Sequence, residues 1–269
     1  MVGGKIYVIG GVGGPERVEE YDAETNTWTV RADIPTPRSF LSTSVVDGRI
    51  YAIGGSEDEF GAPVGAIEAY DPETDTWERV TDLPTARSDL SSASVNGKIY
   101  AIGGSDGDDV VATVEEYDRA RDVWSSKSDM PTPRLLLATC VVDGKIYAMG
   151  GLLLQAGPGG VMVEAYDPET DTWERKADMP AGRTAPASVL GGSIYVFGGA
   201  AAGGAMARSS LFEYNPLADS WKRLDDMPFQ RLAMSTSVVN GKVYLIGGSA
   251  TRFPHRPYLV DVIEYSPEQ

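Results

Sequence analysis

Six short apolar runs, each with a tyrosine inside it, end on a Gly-Gly doublet: Gly10-Gly11, Gly54-Gly55, Gly103-Gly104, Gly150-Gly151, Gly198-Gly199 and Gly247-Gly248. The tyrosines are Tyr7, Tyr51, Tyr100, Tyr147, Tyr195 and Tyr244. Runs this short, β-rich and bounded by glycine predict strands, and no stretch shows long apolar spacing of the helical kind. Each doublet leads, 10 to 17 residues on, to a second tyrosine: Tyr21, Tyr70, Tyr117, Tyr166, Tyr214 and Tyr265. Five of these are followed seven residues later by a tryptophan: Trp28, Trp77, Trp124, Trp173 and Trp221. Ten residues beyond each tryptophan stands an arginine: Arg38, Arg87, Arg134, Arg183 and Arg231.

The 44 to 49-residue period of the doublets reads as a four-stranded unit, strands a to d. The arginine opens a, the doublet closes b, the second tyrosine ends c and the tryptophan opens d. Strands a and b meet at Asp47-Gly48, Asn96-Gly97, Asp143-Gly144, Gly191-Gly192 and Asn240-Gly241, dipeptides that accept the positive φ of a two-residue hairpin. Strands c and d meet at longer turns such as Asp71-Pro72-Glu73-Thr74 and Asp167-Pro168-Glu169-Thr170. One four-stranded sheet cannot bury both its faces, so the copies must stack, and repetition about an axis closes a β-propeller. The doublets let neighbouring backbones approach, and the tyrosines and tryptophans fill the gaps between blades.

This pattern, with Leu83-Pro84, Met130-Pro131, Met179-Pro180 and Met227-Pro228 ahead of the arginines, resembles the Kelch repeat. The resemblance covers essentially the whole chain, residues 1–269, read as one domain. The fold class expected is all-β, a six-bladed Kelch-type β-propeller whose first and last blades are incomplete. Six b and six c strands are present, but only five a and five d. A trimmed repeat boundary, a ring tolerant of a gap, and completion by another chain all account for this; the last implies self-association through the incomplete blades. The alternative is a five-bladed closure in which the final a strand completes the first blade.

Charge narrows the partners. With 39 Asp and Glu against 23 Lys and Arg, the net charge is −16, which argues against bulk attraction to nucleic acid or an anionic membrane. No apolar stretch is long enough to span a bilayer and the N-terminus lacks a signal-peptide layout, so a soluble, cytoplasmic protein is expected. The single cysteine, Cys140, excludes an internal disulfide and reads as a buried thiol. No BTB-type motif is recognisable in these 269 residues, so a ubiquitin-ligase adaptor role is not expected of them.

Only the doublet-to-tyrosine interval varies appreciably, so length variation is confined to the b–c connections, which share a rim with the d–a connections. Those loops carry Glu57, Asp58, Glu59 and Phe60; Leu152, Leu153 and Leu154; and Phe253, His255, Arg256 and Tyr258. The leucine triplet reads equally as a partner surface or as a plug folded inward. In Kelch proteins that bind acidic peptide motifs, arginines at this position, the start of strand a, contact the ligand. The resemblance thus implies a ligand-binding role for Arg38, Arg87, Arg134, Arg183 and Arg231 at the channel mouth, against the alternative that each ties blade backbones together. Residues four before each second tyrosine flank the same mouth: Arg17, Ala66, Thr113, Met162, Ser210 and Asp261. A protein or peptide partner, with an acidic one as the finer expectation, is expected on this rim, with no cofactor and no metal.

Enzyme readings are weaker. Galactose-oxidase-like copper chemistry needs several histidines, and His255 is the only one. A carboxylate metal site around Asp106, Asp108 and Asp109 reads more simply as a solvated loop. A sugar-acid mutarotase resembling N-acetylneuraminate epimerase needs only arginines for the carboxylate and an acid–base pair, and no motif selects it.

Overall fold

The computed structural model describes residues 1–58, 61–153, 159–201, 206–250 and 261–267. Of the loop residues singled out above, Glu59, Phe60, Leu154, Phe253, His255, Arg256 and Tyr258 lie outside the described residues. No helix among the described residues is long and apolar enough to cross a membrane. The chain falls into two compact halves, Met1–Leu135 and Leu136–Gln269.

The first half holds three antiparallel blades. Blade 1 is β1 (Lys5–Ile9), β2 (Val18–Asp22) and β3 (Thr27–Val30). Blade 2 is β4 (Ser42–Val46), β5 (Arg49–Ile53), β6 (Ile67–Asp71) and β7 (Thr76–Arg79). Blade 3 is β8 (Ser91–Val95), β9 (Lys98–Ile102), β10 (Val114–Asp118) and β11 (Val123–Ser126). The second half repeats the scheme. Blade 4 is β12 (Ala138–Val142), β13 (Lys145–Met149), β14 (Val163–Asp167) and β15 (Thr172–Arg175). Blade 5 is β16 (Ala187–Leu190), β17 (Ser193–Phe197), β18 (Leu211–Asn215) and β19 (Ser220–Arg223). Blade 6 is β20 (Ser235–Val239), β21 (Lys242–Ile246) and β22 (Val262–Tyr265). Blade 1 therefore lacks an a strand and blade 6 a d strand among the described residues. Because β20 pairs with β21 in its own sheet, the last a strand is committed to blade 6 and not to a five-bladed closure.

Turn chemistry sets these registers. Asp47 and Gly48 have φ of 49° and 76°, and the other four a–b dipeptides repeat the pair of positive values. Both central residues of a type I′ hairpin need this, which is why Asn, Asp and Gly hold the positions. The arginine does not open strand a as expected; Arg38 precedes β4 by four residues. Between them the chain turns through a left-handed residue, Phe40 at φ 55°, and Asp89, Leu136 and Ala233 occupy the same place in other blades.

Adjacent blades are latched by the aromatic pair. The tyrosine rings are fully buried in the complete blades, whereas the tryptophans are only partly covered and lie tilted against them, with Tyr70–Trp77 centroids 5.0 Å apart. The tyrosine fills the gap, and the half-buried indole packs at its edge, as Trp77, Trp124 and Trp221 do, and acts as a clamp. Trp77 donates its Nε1–H to Ala32 O at 2.9 Å while Asp75 Oδ1 accepts from Ala32 N at 2.9 Å and from the Tyr70 hydroxyl at 2.6 Å. One residue of blade 1 is thus held by both its backbone groups, and Trp221, Asp219 and Ala177 repeat the latch between blades 4 and 5. Behind it lie apolar clusters, for example Val46, Tyr51, Ile53, Ile67, Leu83, Leu90, Ile99 and Tyr117. A buried tyrosine removes about 150–250 Å² from water, worth up to roughly 4–6 kcal/mol before ordering entropy is counted.

Candidate functional site

The repeated arginines lie inside the blades. Arg38, Arg87 and Arg134 have no exposed surface, and Arg183 and Arg231 are 1% and 2% exposed. In blade 2, Arg38 donates Nε–H to Gly54 O (2.7 Å), Nη2–H to Ala52 O (2.9 Å) and Nη1–H to both Thr36 O (2.8 Å) and Glu68 Oε2 (2.5 Å). Blade 3 repeats this: Arg87 reaches Gly103 O and Thr113 O, each at 2.8 Å, and Glu115 Oε2 at 2.7 Å. The second carboxylate oxygen accepts from a threonine two residues before the arginine, Thr36 on Glu68 at 2.8 Å and Thr85 on Glu115 at 3.0 Å. A threonine, an arginine and a buried glutamate thus form a closed ion pair that ties the d–a connection to strands b and c of one blade. The arginine backbone joins neighbours as well, Gly55 N donating to Arg87 O at 2.9 Å. In blades 2 and 3 the forks expected at an open channel mouth are therefore taken up by carbonyls and a carboxylate, because a charge this deeply buried must be paired.

Four of the residues that stand four before a second tyrosine lie against an arginine: Thr113, Ser210, Asp261 and Ala66. Thr113 O accepts from Arg87, Ser210 accepts from Arg183 through its carbonyl (3.2 Å) and its Oγ (3.0 Å), and Asp261 Oδ2 accepts from Arg231 at 2.7 Å. Ala66 O lies at the edge of hydrogen-bond range of Arg38, 3.5 Å away. Arg17 instead points outward, its side chain 66% exposed, and Met162 contributes its carbonyl to Gly150 N. Asp106 is occupied by its own loop, its Oδ1 accepting from the amides of Asp108 and Asp109.

Blade 5 departs from the tie. Where blades 2 and 3 have glutamate two residues before the tyrosine, it has Phe212, and where they have threonine two before the arginine, it has Ala181. Arg183 donates to Ala181 O (3.1 Å), Gly198 O (3.0 Å) and Ser210, and its guanidinium carbon lies 4.6 Å from the centre of the Phe212 ring. Its Nη2 has no partner among the described residues. Burial, with Arg208 nearby, pushes the Arg183 guanidinium down to about 10. Beside it opens a pocket of about 360 Å³ lined by Pro180, Ala181, Arg183, Arg208, Ser210, Phe212 and Arg223, three arginines and no acid. Arg208 belongs to the b–c connection, Arg223 ends β19, and Pro180 and Ala181 lie on the d–a connection, so the pocket sits at the end of the blade where both connections emerge. Blade 6 solves the same loss differently, with Asp261 taking the glutamate's place beside Arg231.

The KLHDC2/KLHL20/DRC7 Kelch-repeats domain model matches residues 1–151, more than half of the chain. The chain belongs to the Kelch-repeat family. Kelch motif models also match residues 133–180 and 183–228 of this Kelch protein. The Kelch-like protein terF of Aspergillus terreus is 38% identical over 65 residues, 21% of this chain. The chain covers 14% of the length of that curated relative. The structure of YjhT matches with a TM-score of 0.82 at 18% identity, over 99% of this chain and 93% of that one. At this identity the likeness shows the fold alone, and the fold is the six-bladed β-propeller.

Proposed function

We propose that this Kelch protein is an interaction module that recognises an acidic segment of a partner protein at the end of the blades where the b–c and d–a connections emerge. Kelch propellers commonly bind proteins, which supports the class of function. The observation that carries the acidic preference is the blade 5 pocket, where Arg183, Arg208 and Arg223 converge without a lining carboxylate. Guanidinium groups present planar forks suited to carboxylates. Local recognition must overcome a long-range penalty, since the chain as a whole carries −16. Contact chemistry, not steering, would then decide the partner.

Fluorescence polarisation with labelled Glu-rich, neutral and Lys-rich peptides of one length tests this. The Glu-rich peptide is expected to bind the chain and to lose affinity when Arg208 and Arg223 are changed to glutamate. Equal affinity for all three peptides, or indifference to the substitutions, would refute the reading. A sugar acid is a second class of ligand for the same pocket, since it carries one carboxylate on a body that a cavity of about 360 Å³ admits. Calorimetry with N-acetylneuraminate separates the two classes.

A further inference from the structure

We infer that the blade 5 pocket is a single-carboxylate site, in which a carboxylate of the ligand pairs with Arg183 as Glu68 pairs with Arg38 and Glu115 with Arg87. The inference deepens the proposed function and rests on that same face being the binding face. Two residues hold the internal carboxylate in blades 2 and 3, the glutamate that carries it and the threonine that donates to it. Both are replaced in blade 5, by Phe212 and Ala181, and both replacements line the pocket. The paired loss removes the counter-ion together with its support, while the arginine is retained and remains 1% exposed.

A buried guanidinium without a counter-ion is unfavourable, and the Phe212 ring face compensates only in part. The unpartnered Nη2 marks where an acceptor is missing. Arg208 and Arg223 stand at the outer part of the pocket, both exposed, and add positive potential along the way in. The acid facing this group is Asp226, which accepts from Ser209 Oγ at 2.9 Å and pairs with Arg223 at 2.8 Å without lining the pocket. A free small organic acid and an acidic side chain or C-terminus of a peptide share the required chemistry.

The test is an NMR titration of the backbone amides at constant ionic strength, with acetate in one arm and a Glu-containing peptide in the other. Acetate is expected to shift the amides of Arg208, Ser210 and Phe212 saturably in the wild-type chain and in Phe212→Leu. In Phe212→Glu the new carboxylate pairs with Arg183 from within, and acetate binding should weaken at least about tenfold. The double variant Arg208→Ala/Arg223→Ala alters only exposed side chains; it should weaken acetate several-fold while the fold persists, so the test survives if Phe212→Glu fails to fold. No saturable shift in the wild-type chain overturns the inference, as does undiminished acetate binding in the double variant or in folded Phe212→Glu. Peptide binding without acetate binding overturns the carboxylate site and leaves the interaction module standing. Acetate binding with no peptide binding does the reverse.

Discussion

Replacing Arg87 with alanine removes a guanidinium that satisfies Gly103 O, Thr113 O and the carboxylate of Glu115, which is 3% exposed. Among the described residues the stranded Glu115 keeps the Thr85 hydroxyl alone. Breaking a buried pair from one side costs about 3–5 kcal/mol, chiefly because the surviving charge is left uncompensated. Arg183→Ala is the matched control. It deletes comparable hydrogen bonds to carbonyls, but with Phe212 in the glutamate position no carboxylate is stranded, so the expected cost is about 1–2 kcal/mol. The gap between the two should be about 1–4 kcal/mol, and a central value of about 2.5 kcal/mol at a urea m-value of about 2–3 kcal/mol/M separates the midpoints by roughly 1 M. Urea unfolding followed by tryptophan fluorescence reads it. In the double variant Arg87→Leu/Glu115→Leu much of the loss should return, because neither charge is then buried alone. Equal destabilisation by Arg87→Ala and Arg183→Ala, or a double variant worse than the single, would refute the argument that the glutamate separates a structural arginine from an available one.

Other outcomes follow from the same geometry. Gly54 and Gly48 both have positive φ, but a Cβ on Gly54 would lie 2.4 Å from Arg87 O while one on Gly48 meets nothing within 4 Å; Gly54→Ala should lower the melting temperature well beyond the effect of Gly48→Ala, which is about 1 kcal/mol. The latch aspartates make stability acid-sensitive. Asp75 is held below the usual carboxylate value of 3.8 first by the Ala32 amide and then by the Tyr70 hydroxyl, and Asp122 first by the Tyr117 hydroxyl. A carboxylate lowered in the folded state contributes fully above its unfolded value and loses that contribution as pH falls through the folded one, so unfolding free energy should drop below about pH 4, less steeply in Asp75→Asn/Asp122→Asn. Burial pushes the Cys140 thiol up to about 12, so a disulfide reagent at pH 8 should label it only on unfolding; rapid labelling of the native chain would contradict this.

Much of the architecture was legible because turns and close approaches leave few residue choices. Asp47-Gly48 and its counterparts needed two positive φ values, and the doublets had to pass against a neighbouring backbone. Strand order within each blade followed from those punctuation marks. The direction of the arginine side chains was not legible from their own spacing, since a tie and a binding fork recur with the same period. The deciding signal lay elsewhere in the repeat, in the residue two before the second tyrosine: Glu68 and Glu115 against Phe212 and Ile263. Read as one face of strand c, those glutamates look like ordinary solvated acids of a strongly acidic chain. Only their burial at 2% and 3% reveals them as partners. Of the residues four before the tyrosine, Ser210 and Asp261 reach an arginine with their side chains, Thr113 and Ala66 face one only through carbonyls, and Arg17 points outward.

The side-chain Nε–Hε signals of the arginines, followed by NMR as acetate is added, test the central claim most directly. Arg38 and Arg87, paired internally, should keep their shifts and exchange slowly with water, while the Arg183 signal moves to saturation. Signals of all three moving alike, or Arg183 remaining still while Arg38 or Arg87 responds, would contradict the assignment of available chemistry to blade 5.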